Sequence, residues 1–273
     1  MNLKNELKKV RNFFVPSKVI HISVSTSSPN DLLRGEVILI TGGATGIGKS
    51  VAEYAARQGA KAIIIGRRRE KLEEACDFIG NDTCRFLEFD ITKSVEYQEF
   101  FNKAEKIFDM PVTGLVNNAG IYIQKGMMDF SVADYDNIFN VNLKAPLFLM
   151  REYVRYCMVK KIAGNLVVTA SNRGLYGDVG PYGISKAAIG NYVEGMARDL
   201  IGTGIRVNAV APGMTASEIN HIDVEGNMYT SSAKGERVLL PDEIAEVICF
   251  LLSNNSKCIT GAIIPCDEGD RLR

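Results

Sequence analysis

Tyr182 and Lys186 stand four positions apart in the stretch "PYGISKAAI", residues 181–189. At the helical repeat, positions i and i+4 share one face. A phenol and an ammonium then point into the same space. A free tyrosine, with a pKa of about 10, is a poor base near neutral pH. A neighbouring cation favours the phenolate and lowers that value. The pair can thus serve as a general acid and base. The alternative is an ordinary surface pair on a solvated helix. The rest of the chain decides between them.

A second stretch, "VILITGGATGIGKSVAEYAARQG" (37–59), reads as a strand, a glycine-rich turn and a helix. Gly42, Gly46 and Gly48 let the backbone turn sharply and approach a pyrophosphate. The helix opening near Gly46 offers free N–H groups and a positive dipole end to that anion. Strand before and helix after is the context that dinucleotide binding requires. The next strand ends at "IIIGRRREKLEE" (63–74). Units that bind NAD place an acidic residue there, whereas those that bind NADP offer arginine to a 2′-phosphate. Here Gly66 precedes Arg67, Arg68 and Arg69, and Glu70 lies past the strand end. Like charges at a helix start are unfavourable without an anionic partner. NADP(H) is therefore favoured over NAD(H), with Arg67 beside the ribose.

These groups need a frame. Short apolar runs recur at 37–40, 62–65, 85–89, 114–116, 165–169, 206–210 and 261–265, with amphipathic stretches between them. Continuous apolar strands alternating with helices imply a parallel sheet covered on both faces. The expected fold is α/β: a doubly wound Rossmann fold with a mostly parallel, seven-stranded sheet. Residues 35–273 form its single catalytic domain. Residues 1–34 form an N-terminal extension. Leu3, Leu7, Val10 and Phe14 recur at helical spacing there, and "VIHISV" (19–24) alternates like a strand. The extension reads as an arm on its own domain or a sister subunit, or as a membrane-surface contact.

Composition narrows the function. Of 273 residues, 32 are basic and 32 acidic, so no net charge recommends a nucleic-acid partner. His21 and His221 stand far apart without ligand-spaced neighbours, so no metal site is expected. The six cysteines include no C-x-x-C pair and read as free thiols. No apolar run reaches membrane-spanning length, and no secretory signal is apparent. A cytoplasmic protein is the expectation.

Three more stretches complete a pattern: "GLVNNAG" (114–120), "FNVNLKAP" (139–146) and "VVTASNRG" (167–174). With the glycine turn and Y-x-x-x-K, the chain resembles the short-chain dehydrogenase/reductase family from about residue 35 onward. "VNAVAPG" (207–213) and the ending "ITGAIIPCDEG" (259–269) extend the likeness. The resemblance implies a proton-relay set of Asn142, Ser171, Tyr182 and Lys186. In it Ser171 would hold the substrate oxygen, Lys186 the nicotinamide ribose, and Asn142 a water leading to Lys186. It also implies cofactor contacts at Gly42, Thr45, Gly46, Ile47, Gly48, Arg67, Asp90, Ile91, Asn117, Ala119, Gly120, Tyr182, Lys186, Pro212, Gly213 and Thr215. A homo-oligomer, dimer or tetramer, is implied too. The helices carrying Leu147, Phe148 and Val154, and Ile189, Tyr192 and Met196, present apolar faces for it.

The reaction so implied moves a hydride between a nicotinamide and a secondary alcohol or ketone. Arg173 and Tyr176 would line the pocket. An arginine there suits a polar or anionic substrate, such as a sugar derivative or keto acid, or else forms a surface salt bridge. The alternatives are a 3-oxoacyl thioester reductase and a nucleotide-binding regulator without catalysis. The segment between Ser171 and Tyr182 is a residue or two shorter than is usual in that family, which leaves the pocket shape open.

Overall fold

The computed structural model describes residues 31–272. Most of the expected extension, with its amphipathic helix and strand, lies outside the described residues.

Seven strands form one sheet, all parallel, among the described residues. They are β1 (Val37–Thr41), β2 (Lys61–Gly66), β3 (Cys84–Glu88), β4 (Gly114–Asn117), β5 (Gly164–Thr169), β6 (Ile205–Pro212) and β7 (Ile263–Cys266). The spatial order is β3-β2-β1-β4-β5-β6-β7. Each crossover carries a helix: α1 (Gly46–Arg57), α2 (Arg69–Ile79), α3 (Tyr97–Phe108), α4 (Val132–Phe139), α5 (Ala145–Lys160), α6 (Pro181–Asp199) and α7 (Pro241–Leu252). The doubly wound fold expected from the alternating pattern is present.

β1 shows why the runs are apolar throughout. Val37 and Leu39 pack into the core under α3, α5 and α6. Ile38 and Ile40 pack into the opposite core under α1, α2 and α7. Both faces are dry, so neither alternate position tolerates a polar side chain. Order reverses between β1 and β4, which opens a crevice at their carboxyl ends.

Leu33, grouped with the extension in the sequence reading, belongs to this body. It is 1% exposed, and its N–H donates to the Gln58 carbonyl at 2.9 Å. The packed domain therefore starts ahead of residue 35. The apolar faces assigned to subunit contact are also partly spent within the chain. Val154 and Ile189 are buried core residues, and Phe148, Tyr192 and Met196 pack against them.

Local sequence sets the helix starts. Pro181 and Pro241 open α6 and α7, where a missing N–H costs nothing. Ser131 and Asp134 form a reciprocal capping box at α4. Between α4 and α5 the chain makes a single π-helical turn, Asn140–Lys144. Such turns interrupt the regular ladder and often mark functional positions.

Candidate active site

The crevice at the strand ends opens into a cleft of about 740 Å³. Its floor is the glycine turn. Gly42 and Gly46 have φ of +64° and +52°, a region that penalises side chains. A Cβ on Gly48 would lie 2.2 Å from the Gly42 carbonyl oxygen. The turn therefore closes onto α1 only with glycine there. Thr45, the N-cap of α1, makes no side-chain cap bond. The first N–H groups of the helix are thus left for a ligand.

The turn is held by two residues that the sequence reading did not single out. Thr41 Oγ1 accepts from the N–H groups of Asn118 and Ala119, both at 3.0 Å. Asn118 Nδ2 donates to the carbonyls of Thr41 (3.1 Å) and Gly42 (3.3 Å). The threonine ahead of the glycines and the second asparagine of "NNAG" were the available signals. Asn117, expected at the cofactor, faces the other way. It is buried, does not line the cleft, and donates to the Pro146 carbonyl at 3.2 Å. The alternation that brings Asn118 to the glycine turn points Asn117 away from the cleft.

At the end beside β2 and β3, Ile65, Gly66, Arg67, Asp90 and Ile91 line the cleft. The three arginines differ. Arg68 pairs with Glu218 at 2.7 Å, and Arg69 with Glu73 at 2.8 Å. Among the described residues Arg67 has no ion pair. It is exposed at the cleft, where its field acts on Asp90. Burial opposes ionisation of Asp90, but hydrogen bonds from Thr92 and the charges of Arg67 and Lys93 outweigh it. The carboxyl is held below its ordinary value.

Ser171, Tyr182 and Lys186 line the opposite end, beside Ala119, Gly120, Pro212, Gly213 and Thr215. Lys186 is 6% exposed. Its Nζ donates to the Thr169 carbonyl at 2.7 Å and lies 5.7 Å from the centre of the Tyr182 ring. Burial pushes its pKa down to about 8. Burial likewise raises Tyr182, while a hydrogen bond with Ser171 and the Arg173 guanidinium act against that rise. Ser171 and Arg173 thus join Lys186 among the groups beside the Tyr182 ring. Gly174 permits the approach of the two segments. A Cβ there would lie 2.7 Å from the Lys186 main chain.

Asn142 sits in the π-helical turn, buried behind the cleft wall. Its Nδ2 donates to the Ile121 carbonyl, and its Oδ1 accepts the Ile121 N–H, both at 2.8 Å. The side chain thus fixes the segment after Gly120. Thr169 Oγ1 is a buried polar atom without a hydrogen-bond partner among the described residues, and Thr169 lines the cleft. A glycine cradle, an open helix start, an exposed arginine and a buried ammonium suit a bound dinucleotide.

The sequence profile described as short chain dehydrogenase matches residues 36–227. The chain belongs to the short-chain dehydrogenase family. It is 32% identical over 248 residues to the NADP-dependent (R)-specific alcohol dehydrogenase of Lentilactobacillus kefiri, covering 88% of this chain and 98% of the relative. It is 34% identical over 245 residues to the 3-oxoacyl-[acyl-carrier-protein] reductase FabG of Thermotoga maritima, covering 87% and 98%. Among solved structures, the 3-ketoacyl-(acyl-carrier-protein) reductase of Brucella melitensis complexed with NADH superposes with a TM-score of 0.79. That match has 27% identity and covers 88% of this chain and 99% of that one. Short-chain dehydrogenases are oxidoreductases that use a nicotinamide cofactor. No helix among the described residues is long and apolar enough to cross a membrane.

Proposed function

We propose that this protein is an NADP(H)-dependent oxidoreductase interconverting a secondary alcohol and a ketone, with Tyr182 as general acid and base. The carrying observation is that Ser171, Tyr182 and Lys186 converge at one end of a single cleft whose other end presents Arg67. The bound cofactor supplies the hydride chemistry. The chain handles one proton and one developing alkoxide. Ser171 Oγ orients the substrate oxygen and stabilises its charge. Tyr182 Oη gives or takes the proton at that oxygen. Lys186 Nζ, already facing inward, meets the ribose hydroxyls. Gly42, Gly46 and the N-terminus of α1 receive the pyrophosphate, and Arg67 receives the 2′-phosphate.

The substrate reading favours a neutral polar molecule, such as a sugar derivative, over a keto acid. Arg173, which could have drawn an anion, is committed to Asp178 at 2.6 Å. A 3-oxoacyl thioester reductase is the second reading, favoured by the likeness to FabG. Thr203 stands just before the G-I-R-V-N run, where reductases acting on carrier proteins often have a basic residue. A regulator without catalysis would not need a buried ammonium beside a half-buried phenol, since burying the charge costs stability. We also read the protein as a homo-oligomer. A groove beside α4 and α5, lined by Phe139, Leu143, Leu147 and Phe148, supports this.

Titration of NADPH and NADH against the wild type and Arg67→Ala tests the cofactor choice. Charge-assisted bonds of about 1.5–3 kcal/mol predict a roughly 10–100-fold preference for NADPH. Arg67→Ala should remove most of it and leave NADH binding unchanged. Equal affinities in the wild type would defeat the assignment.

A further inference from the structure

The short segment between Ser171 and Tyr182 is closed by an ion pair. Asp178 Oδ2 accepts from Arg173 Nε at 2.6 Å, and Oδ1 accepts from the Gly180 N–H at 2.9 Å. The Asp178 side chain is 6% exposed. A Cβ at position 183 would lie 2.2 Å from Asp178 Oδ2, so α6 leaves room for this carboxylate only because Gly183 has none.

Arg173 also reaches into the active site. Its main-chain N–H donates to Ser171 Oγ at 3.3 Å. Its Nη1 donates to Tyr122 Oη at 3.2 Å. The Tyr122 ring stands edge-on to the Tyr182 ring, with centroids 5.0 Å apart and planes at 70°. One residue thus touches the substrate-orienting serine, the loop-closing carboxylate and the aromatic neighbour of the reactive phenol. Resting on the reading of Tyr182 as acid and base, we infer that Arg173 is its positioning residue. The guanidinium, locked to Asp178, holds Tyr122 against Tyr182 and so fixes the phenol toward the substrate oxygen.

The fork of an arginine spans two acceptors at fixed angles, which a lysine ammonium does not do. The charge has a second consequence. The groups facing Tyr182 are Ser171, Arg173 and Asp178 from the short segment, Tyr122 from the stretch after β4, and Lys186 from α6. Arg173 favours the phenolate, whereas Tyr122 and Asp178 oppose it. Removing the cation leaves Asp178 uncompensated. The phenol then ionises at higher pH.

The test is the pH dependence of alcohol oxidation in the wild type, Arg173→Gln, Arg173→Lys, Tyr122→Phe and the Arg173→Gln/Tyr122→Phe double variant. Arg173→Gln should lower kcat about tenfold, the size expected for losing one charged hydrogen bond. Its rising limb should move to higher pH, with NADPH affinity unchanged. Arg173→Lys should return the limb toward its wild-type position without restoring kcat. The double variant should lose no more kcat than the worse single variant. An unmoved limb in Arg173→Gln, a limb in Arg173→Lys no different from that in Arg173→Gln, or additive losses would overturn the inference. If Arg173→Gln does not fold, Tyr122→Phe alone decides: a several-fold loss of kcat supports the link, and an unchanged kcat breaks it. An inactive Tyr182→Phe beside an unmoved Arg173→Gln limb defeats only this inference. A fully active Tyr182→Phe defeats the acid–base reading beneath it.

Discussion

Lys186→Met should make the protein more stable at pH 7 while impairing catalysis. Lys186 is 6% exposed, and its pKa falls from 10.5 to about 8 because burial penalises the charged form. At about 1.4 kcal/mol per unit, keeping it charged at pH 7 costs about 3.5 kcal/mol. The variant also loses the charge-assisted bond from Nζ to the Thr169 carbonyl, worth about 1.5–3 kcal/mol. The net expectation is a gain of about 0.5–2 kcal/mol. The pH dependence carries the sign. Below the folded-state pKa of about 8, both folded and unfolded wild type hold the proton, and the penalty is complete. Between that value and 10.5, the unfolded chain binds more protons, so wild-type stability rises with pH relative to the variant. Urea unfolding followed by circular dichroism, at fixed protein concentration, should show a gap at pH 7 that narrows by pH 10. A variant less stable than the wild type at pH 7, or a gap independent of pH, would refute the burial argument.

Three other outcomes follow from the same geometry. Gly48→Ala places a Cβ 2.2 Å from the Gly42 carbonyl oxygen. It should cost about 1–3 kcal/mol of stability by overpacking and weaken both cofactors alike in equilibrium titration. Gly66→Asp should reverse the cofactor preference, adding repulsion against a 2′-phosphate and an acceptor for an unphosphorylated ribose; tighter NADPH binding by the variant would contradict this. Light scattering at micromolar concentration should report an oligomer, and Leu147→Arg in the groove beside α5 should dissociate it; a monomeric wild type would end that reading.

The frame was legible because both faces of the sheet are dry. Ile38 and Ile40 serve one core and Val37 and Leu39 the other, so the strand appears as an unbroken apolar run. The glycine turn was legible because the close approach at Gly48 and the positive φ at Gly42 exclude other residues. What stayed hidden was direction. Asn117 and Asn118 are identical in type, and only the pleat decides that the second meets the glycine turn. Leu33 gave no periodic signal, since one buried side chain before a strand resembles a loop residue. The role of Arg173 was open between substrate contact and salt bridge. Its partner Asp178 is five positions away, but Tyr122 comes from another strand end, a contact no local pattern carries. The apolar faces of α5 and α6 are partly covered by their own sheet, and a helix packed on its own sheet looks the same in sequence as one packed on a subunit.

The most direct test of the central claim is NADPH consumption, read by absorbance of the reduced cofactor, across a panel of neutral ketones for wild type and Tyr182→Phe. The phenol oxygen is the only heavy atom removed, and the ring that Tyr122 and Lys186 stand beside is retained. Proton transfer by a positioned side chain contributes roughly 10²–10⁴-fold. The account predicts a loss of that size, with NADPH affinity unchanged. A Tyr182→Phe protein turning over within a few-fold of the wild type would contradict it.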